Sequence, residues 1–287
     1  MGGKIGIIGG TGLYEMEGFE NKREINLKTP FGSPSDSFMT GKLKGKDVVF
    51  LARHSRGHRI LPSELNYRAN IYGLKKLGVD HIISISAVGS FKEELKPLDM
   101  LLPDQFVDRT NQARKMSFFG DGIVAHIAFN EPVCPVLRNV IYKAAKGLGV
   151  TVHNGGTYLN MEGPAFSTRA ESFLHKSWGM DVIGMTNMPE AKLAREAEIC
   201  FATIALVTDY DCWHEHESSV TVEIILDNLT KNAENAKSVI KRAIPLVPDK
   251  RECHCARALE NAIVTAKEYI PQDIKDKLDL IIGKYLK

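Results

Sequence analysis

Apolar residues along this chain fall into short runs bounded by glycine or by polar clusters. The runs at 4–8, 47–51, 81–86, 100–102, 182–185 and 202–207 are too short for helices and predict buried strands. Stretches of helical periodicity lie between several of them. Pro62-Ser63-Glu64 predicts a helix start, Leu65, Ile71, Leu74 and Leu77 supply its apolar stripe, and Gly78 stands where a C′ glycine belongs. Further helices are expected over 135–148, 168–178, 189–199, 220–243, 256–269 and 272–285. Segment 108–121, with Arg109, Asn111, Arg114 and Gly120, reads as a flexible loop or a subunit contact. No repeat or low-complexity linker divides the chain. Strands alternating with helices predict an α/β fold: one domain over residues 1–287, built on a mostly parallel or mixed sheet, with C-terminal helices over about 256–285.

Composition narrows the partners. A formal net charge of +2 with mixed signs gives no reason to expect nucleic acid or a membrane surface. No apolar run approaches the roughly 20 residues that a membrane helix needs. The N-terminus is too short and glycine-rich for a signal peptide, so a cytoplasmic protein is expected. Five cysteines do not make a secreted-type disulfide framework. Cys253-His254-Cys255 has no second ligand pair at zinc spacing, and the histidines of Trp213-His-Glu-His-Glu217 would diverge on a helix. The latter segment reads as a polar helix start, and no metal is expected.

Chemistry concentrates where predicted strands end. Thr208-Asp209-Tyr210-Asp211 closes the run at 202–207. Carboxylates at i and i+2 of an extended chain point to one side, at the sheet edge where open α/β folds bind ligands. Two close acids titrate as a pair, so one can hold a proton near neutral pH. Ile5-Gly-Ile-Ile-Gly-Gly-Thr-Gly-Leu13 is a strand entering a glycine loop, but Glu15 stands where a dinucleotide fingerprint needs its third glycine. Thr11 adds a hydroxyl, which favours phosphate over pyrophosphate. Arg53-His54-Ser-Arg56-Gly-His58 gathers four basic groups directly after a strand, suited to an anion. Ser84-Ile-Ser86-Ala87-Val-Gly89-Ser90 and Gly184-Met185-Thr186-Asn187 repeat the small, hydroxyl-bearing form.

These segments, with Glu162-Gly-Pro-x-Phe166-Ser167-x-Arg169-Ala-Glu171, Pro189-Glu190 and Thr208-Asp-Tyr-Asp-Cys-Trp213, resemble the trimer-forming purine nucleoside phosphorylases, in order and over nearly the whole chain. The resemblance implies a twisted, barrel-like mixed sheet flanked by helices. It also implies a pentosyltransferase that attacks C1′ of a nucleoside with inorganic phosphate, a co-substrate, and needs no cofactor. Thr11, Arg53, His54, Ser86, Ala87 and Thr186 would bind phosphate, Met185 would pack under the ribose, and Phe166 would lie against the base. The transition state would resemble an oxocarbenium ion, with the leaving purine gaining a proton at N7. Asp209 is assigned as general acid and Asp211 as acceptor of the exocyclic amine, although the two roles can be exchanged or shared.

An ionised carboxylate only accepts hydrogen bonds, so this pair favours a 6-aminopurine over a 6-oxopurine. By resemblance, Val222 replaces a histidine that holds a 5′-hydroxyl elsewhere in the family, with Val220, Ile225 and Leu226 beside it. That exchange suits a 5′-methylthio group, so phosphorolysis of 5′-methylthioadenosine, and of adenosine, is expected in purine and methionine salvage. Ser167 would tune this pocket, and His126 resembles a residue that trimers lend to a neighbour's 5′ site. A homotrimer, or a hexamer of two trimers, is therefore expected. Heat-adapted members carry disulfides, which implies Cys134–Cys200 and Cys253–Cys255 pairs here. The rival readings are a 6-oxopurine or broad-specificity phosphorylase and a non-catalytic nucleotide-binding module.

Overall fold

Four parallel strands form the frame: β1 (Lys4–Gly9), β4 (Lys46–Ala52), β5 (Val79–Ser90) and β11 (Cys200–Tyr210). This is a computed structural model, describing residues 2–10, 15–111, 113–214 and 222–286, with only the backbone described at 222–226 and 229. β1 pairs in parallel with β4 and β5, and β5 pairs in parallel with β11. Every residue of β11 is buried, as expected of a strand covered on both faces.

The period-two alternation of these strands separates two cores. Ile5, Ile7, Val48, Phe50, Ile83, Ile85, Ile204 and Leu206 face α2 (Pro135–Lys146) and α5 (Val222–Ala243). Ile8, Val49, Leu51, Ile82 and Phe201 face α1 (Tyr67–Lys76), α4 (Asn187–Glu196) and α6 (Gln272–Leu286). The remaining strands are β2 (Phe19–Ile25), β3 (Phe38–Leu43), β6 (Met100–Leu102), β7 (Gln105–Arg109), β8 (Val152–Asn154), β9 (Thr157–Met161) and β10 (Val182–Gly184). They extend one mixed sheet in the order β2-β3-β4-β1-β5-β10-β9-β7, with β11, β6 and β8 branching off β5. The α/β fold with a mixed central sheet flanked by helices is thus the observed architecture.

Local signals placed most helices. Thr168 caps α3 (Arg169–Ser177) through a reciprocal capping box with Glu171. Pro62–Glu64 is a separate 3-10 turn, and α1 starts behind it on Asn66, whose side chain accepts the Ala69 N–H. Gly78 has φ 84°, the left-handed geometry expected after a helix.

The helix expected over 256–269 is not formed. Short 3-10 turns at His254–Arg257 and Lys267–Tyr269 replace it. The backbone between them is committed to the 124–126 segment instead: His126 donates to Ala262 O and Val264 donates to Val124 O. Trp213 and His214 lie in a turn rather than a helix start, and 215–217 fall outside the described residues.

The expected disulfides are also absent. Cys134, Cys200, Cys253 and Cys255 are free thiols. The sulfur contact at 3.3 Å joins Cys200 to Cys253, across both expected pairs, and is far longer than the ~2.05 Å of an S–S bond.

Candidate active site

Because β1, β4, β5 and β11 are parallel, they deliver their carboxyl ends to one edge. The register is close: Gly9 lies opposite Ala52, Ile8 opposite Ser84, Ala205 opposite Ser86 and Asp209 opposite Gly89. The strand ends that lead into four of the five segments singled out in the sequence therefore meet. Thr11 belongs to one of them and lies outside the described residues, although the preceding Gly9 carbonyl accepts the Arg53 N–H at 3.0 Å. β10 runs antiparallel to the end of β5, with Ile183 opposite Gly89, and so brings Met185 and Thr186 to the same edge. Ser86 Oγ stands 3.4 Å from Thr186 Oγ1 and 3.0 Å from Tyr158 Oη. Thr186 precedes α4, whose backbone is non-helical at Met188, and its side chain makes no capping bond, which leaves the two hydroxyls of Ser86 and Thr186 side by side.

Arg53 is held more firmly than a surface basic loop would be. Nε and Nη2 donate to both oxygens of buried Glu190 at 2.5 and 3.0 Å, Nη1 donates to Ile85 O, and Nη2 donates to Ser84 Oγ. The fork matches the carboxylate edge, and removing either partner would strand a buried charge. His54 follows it with Nδ1 2.8 Å from Ile60 O, a geometry that places the hydrogen on Nδ1. Burial, followed by the charge on Arg53, lowers its pKa to about 4. The ring is therefore neutral at pH 7 with Nε2 as an acceptor, so it can take the O–H of a hydrogen phosphate dianion.

Asp209 and Asp211 stand over Gly89. A Cβ at that glycine would lie 3.0 Å from Asp209 Oδ1 and 3.4 Å from Asp211 Cβ. A register shift between Val207 and Asp209 lets the end of β11 swing its acids over β5. Both residues are buried. Thr208 Oγ1 donates to Asp209 Oδ2 at 2.6 Å, whereas Asp211 Oδ2 is buried without a hydrogen-bond partner. An unmatched buried carboxylate oxygen has high demand for a donor.

Beside this pair lies a platform. Met185 is half-buried, and its carbonyl accepts from Arg114 Nη1 at 2.6 Å. Arg114 is itself buried: Nη1 also donates to Met188 O, Nη2 to Glu162 O, and Nε to Glu162 Oε1. Glu162 also accepts from Ser63 Oγ and from the Asn111 N–H. Segment 108–121 is thus tied by Arg114 to the backbone under Met185, not a free loop.

Phe166 is 53% exposed at the rim, and Ser167 Oγ nearby is buried without a partner. Val222 opens α5, but its side chain, with those of Ile225 and Leu226, is outside the description, as is Val220 altogether. His126 is exposed and is not brought to this edge among the described contacts.

The residues that the sequence did not assign are Glu190, Ser84, Arg114 and Glu162. Their signal was faint. Arg53 and Glu190 are 137 positions apart, and only a buried arginine demanding a partner points to the acid.

The family model described as "Phosphorylase superfamily" matches residues 4–245. The S-methyl-5′-thioadenosine phosphorylase of Geobacter sulfurreducens is 60% identical over 282 residues, 98% of this chain and 99% of that one. The protein of the same name from Thermosynechococcus vestitus is 57% identical with both chains fully covered. A methylthioadenosine phosphorylase crystal structure from an antarctic soil metagenomic library superposes with a TM-score of 0.93 at 49% identity, covering 98% of this chain and 99% of that one. The methylthioadenosine phosphorylase of Schistosoma mansoni in complex with adenine gives a TM-score of 0.83 at 34% identity, covering 98% of each chain.

Proposed function

The chain belongs to the phosphorylase superfamily, and on that premise we propose that it cleaves 5′-methylthioadenosine with inorganic phosphate to adenine and 5-methylthioribose 1-phosphate. The activity is that of a pentosyltransferase in purine and methionine salvage. The observation that carries the reading is the buried carboxylate pair over Gly89, one oxygen of which lacks a donor.

Asp211 Oδ2 accepts from the exocyclic amine of adenine, a group that a 6-oxopurine does not offer. Asp209 holds a proton on Oδ1 while Thr208 donates to Oδ2, and delivers it to N7 as the glycosidic bond breaks. General acid catalysis of this kind contributes about 10²–10⁴ in rate. Phosphate lies among Thr11, the Arg53-His54 turn, Ser86, Ala87 and Thr186. Arg53 acts there chiefly by fixing the turn and by its charge, since four of its five N–H donors are committed to Glu190, Ser84 and Ile85 and one Nη1–H is left for phosphate. The phosphate dianion stabilises the positive charge that develops on the sugar. Met185 packs under the ribose on the support of Arg114, and Phe166 covers the base. Val222 supplies the apolar contact for the methylthio group, and Ser167 borders it. No organic cofactor has a role.

The exposed positions of Phe166 and His126 support an assembly in which a neighbouring copy covers the substrate, a homotrimer or a hexamer of two trimers. No helix among the described residues is long and apolar enough to cross a membrane, and a salvage role fits a cytoplasmic location.

Phosphate-dependent release of base from methylthioadenosine, adenosine and inosine tests the reading. Methylthioadenosine should have the highest kcat/KM and inosine the lowest. Inosine as the preferred substrate would remove the carboxylate argument.

A further inference from the structure

Outside the active site, four cysteines converge from three separate stretches of chain. Cys134 precedes α2, Cys200 opens β11, Cys253 precedes the 3-10 turn at His254–Arg257, and Cys255 lies within that turn. Their four Sγ atoms lie within 4.8 Å of one another, and all but Cys253 are buried. A tetrahedron of thiolates at about 2.3 Å from zinc has edges of about 3.8 Å, so only small side-chain adjustments separate these sulfurs from a closed coordination shell. The Cys-x-Cys pair alone has no second ligand pair in the sequence. The fold supplies it in Cys134 and Cys200.

We infer that Cys134, Cys200, Cys253 and Cys255 bind one zinc ion as a structural tetrathiolate centre. Four soft sulfur donors in a closed, tetrahedral array select zinc over the hard divalent cations. Binding breaks four S–H bonds, releases four protons to solvent and forms four Zn–S bonds, with no change of oxidation state. The centre carries a net charge of −2. Cys134 is the N-cap of the twelve-residue α2, whose positive dipole end offsets part of that charge.

The alternative, two disulfides, would require Cys253 and Cys255 to close a small strained ring. It would also require four mutually adjacent sulfurs to separate into two pairs. The metal is not catalytic, because Asp209 is nine steps along extended β11 from Cys200, about 30 Å. Its role is to clasp the C-terminal segment to the amino end of the sheet. Glu198 also serves that junction: its carbonyl accepts from Arg251, and its carboxylate accepts from the Leu259 N–H and Tyr285 Oη.

The intact chain, purified under reductant and without chelator, should contain about one zinc per chain by plasma mass spectrometry. Cys253→Ser should lower that content at least about tenfold, whereas Cys212→Ser, outside the cluster, should leave it unchanged. If Cys253→Ser fails to fold, the intact chain still decides. Stripped of metal and kept reduced, it should take up about one Co²⁺ with the visible bands of a tetrahedral thiolate complex. Reduced intact protein that holds no zinc and takes up no Co²⁺ would overturn the inference. So would cells alkylated at lysis that yield peptides linked Cys134–Cys200 and Cys253–Cys255.

Discussion

Gly89→Ala perturbs the proposed catalytic acids, Asp209 and Asp211, without replacing either of them. The glycine lies in β5 with φ outside the left-handed region, so alanine meets no backbone strain. Its new methyl would sit 3.0 Å from Asp209 Oδ1, 3.3 Å from Ile183 Cγ2 and 3.4 Å from Asp211 Cβ. Comfortable contact needs roughly 3.4 Å or more, so Asp209 must retreat by about half an ångström. A shift of about 1 Å can cost about 100-fold when proton transfer depends on alignment. About 10- to 100-fold in kcat/KM, or about 1.4–2.8 kcal/mol, is therefore expected. Stability should move little, because alanine in a strand gains about 0.4–1 kcal/mol from reduced unfolded-chain entropy, against the local crowding. The assay is phosphate-dependent adenine release alongside denaturant unfolding of the same preparations. Full activity with a stable fold would refute the placement of Asp209 over the reacting base. A loss of activity that only tracks unfolding would refute it equally.

Asp209→Asn should cut turnover on adenine nucleosides by at least about 10² and raise the relative use of inosine, read from kcat/KM on both substrates. Unchanged selectivity would mean that this carboxylate does not read the base. Arg114→Ala leaves Glu162 and the Met185 and Met188 carbonyls without their buried donor. It should destabilise the fold by about 3–5 kcal/mol in urea unfolding and raise KM for the nucleoside. Burial raises the pKa of Glu196 to about 7 although it accepts from Ser117 and the Phe118 N–H. Its protonated form is favoured by folding, so its contribution is complete below about pH 4.5 and is lost as pH rises through 7. Native protein should therefore lose up to about 3 kcal/mol between pH 5 and 8 relative to Glu196→Gln. Parallel stability profiles would refute that assignment.

The parts of the fold that sequence displays are those governed by local rules. Buried strands such as β11 show as unbroken apolar runs, and α3 announces itself by the Thr168/Glu171 capping box. Edge strands do not: β2, Phe-Glu-Asn-Lys-Arg-Glu-Ile, exposes five of its seven residues and carries no apolar period. The stretch 256–269 has helical composition, yet backbone pairing with 124–126 competes successfully for its hydrogen bonds. At the site, the acids and hydroxyls at strand ends were legible because parallel strands necessarily deliver them to one edge. The partners that hold them were not. Glu190 beneath Arg53, Arg114 beneath Met185 and the convergence of four cysteines are all products of long-range packing. A disulfide reading of those cysteines could pair them only by resemblance, whereas the fold brings all four together.

The central claim is that phosphate, not water, takes the sugar as the carboxylate pair protonates the departing adenine. Following methylthioadenosine cleavage by phosphorus NMR with parallel quantitation of adenine tests it most directly. Adenine and 5-methylthioribose 1-phosphate should form in equal amounts, and only when inorganic phosphate is supplied. Adenine released with free 5-methylthioribose, at a rate independent of phosphate, would contradict it.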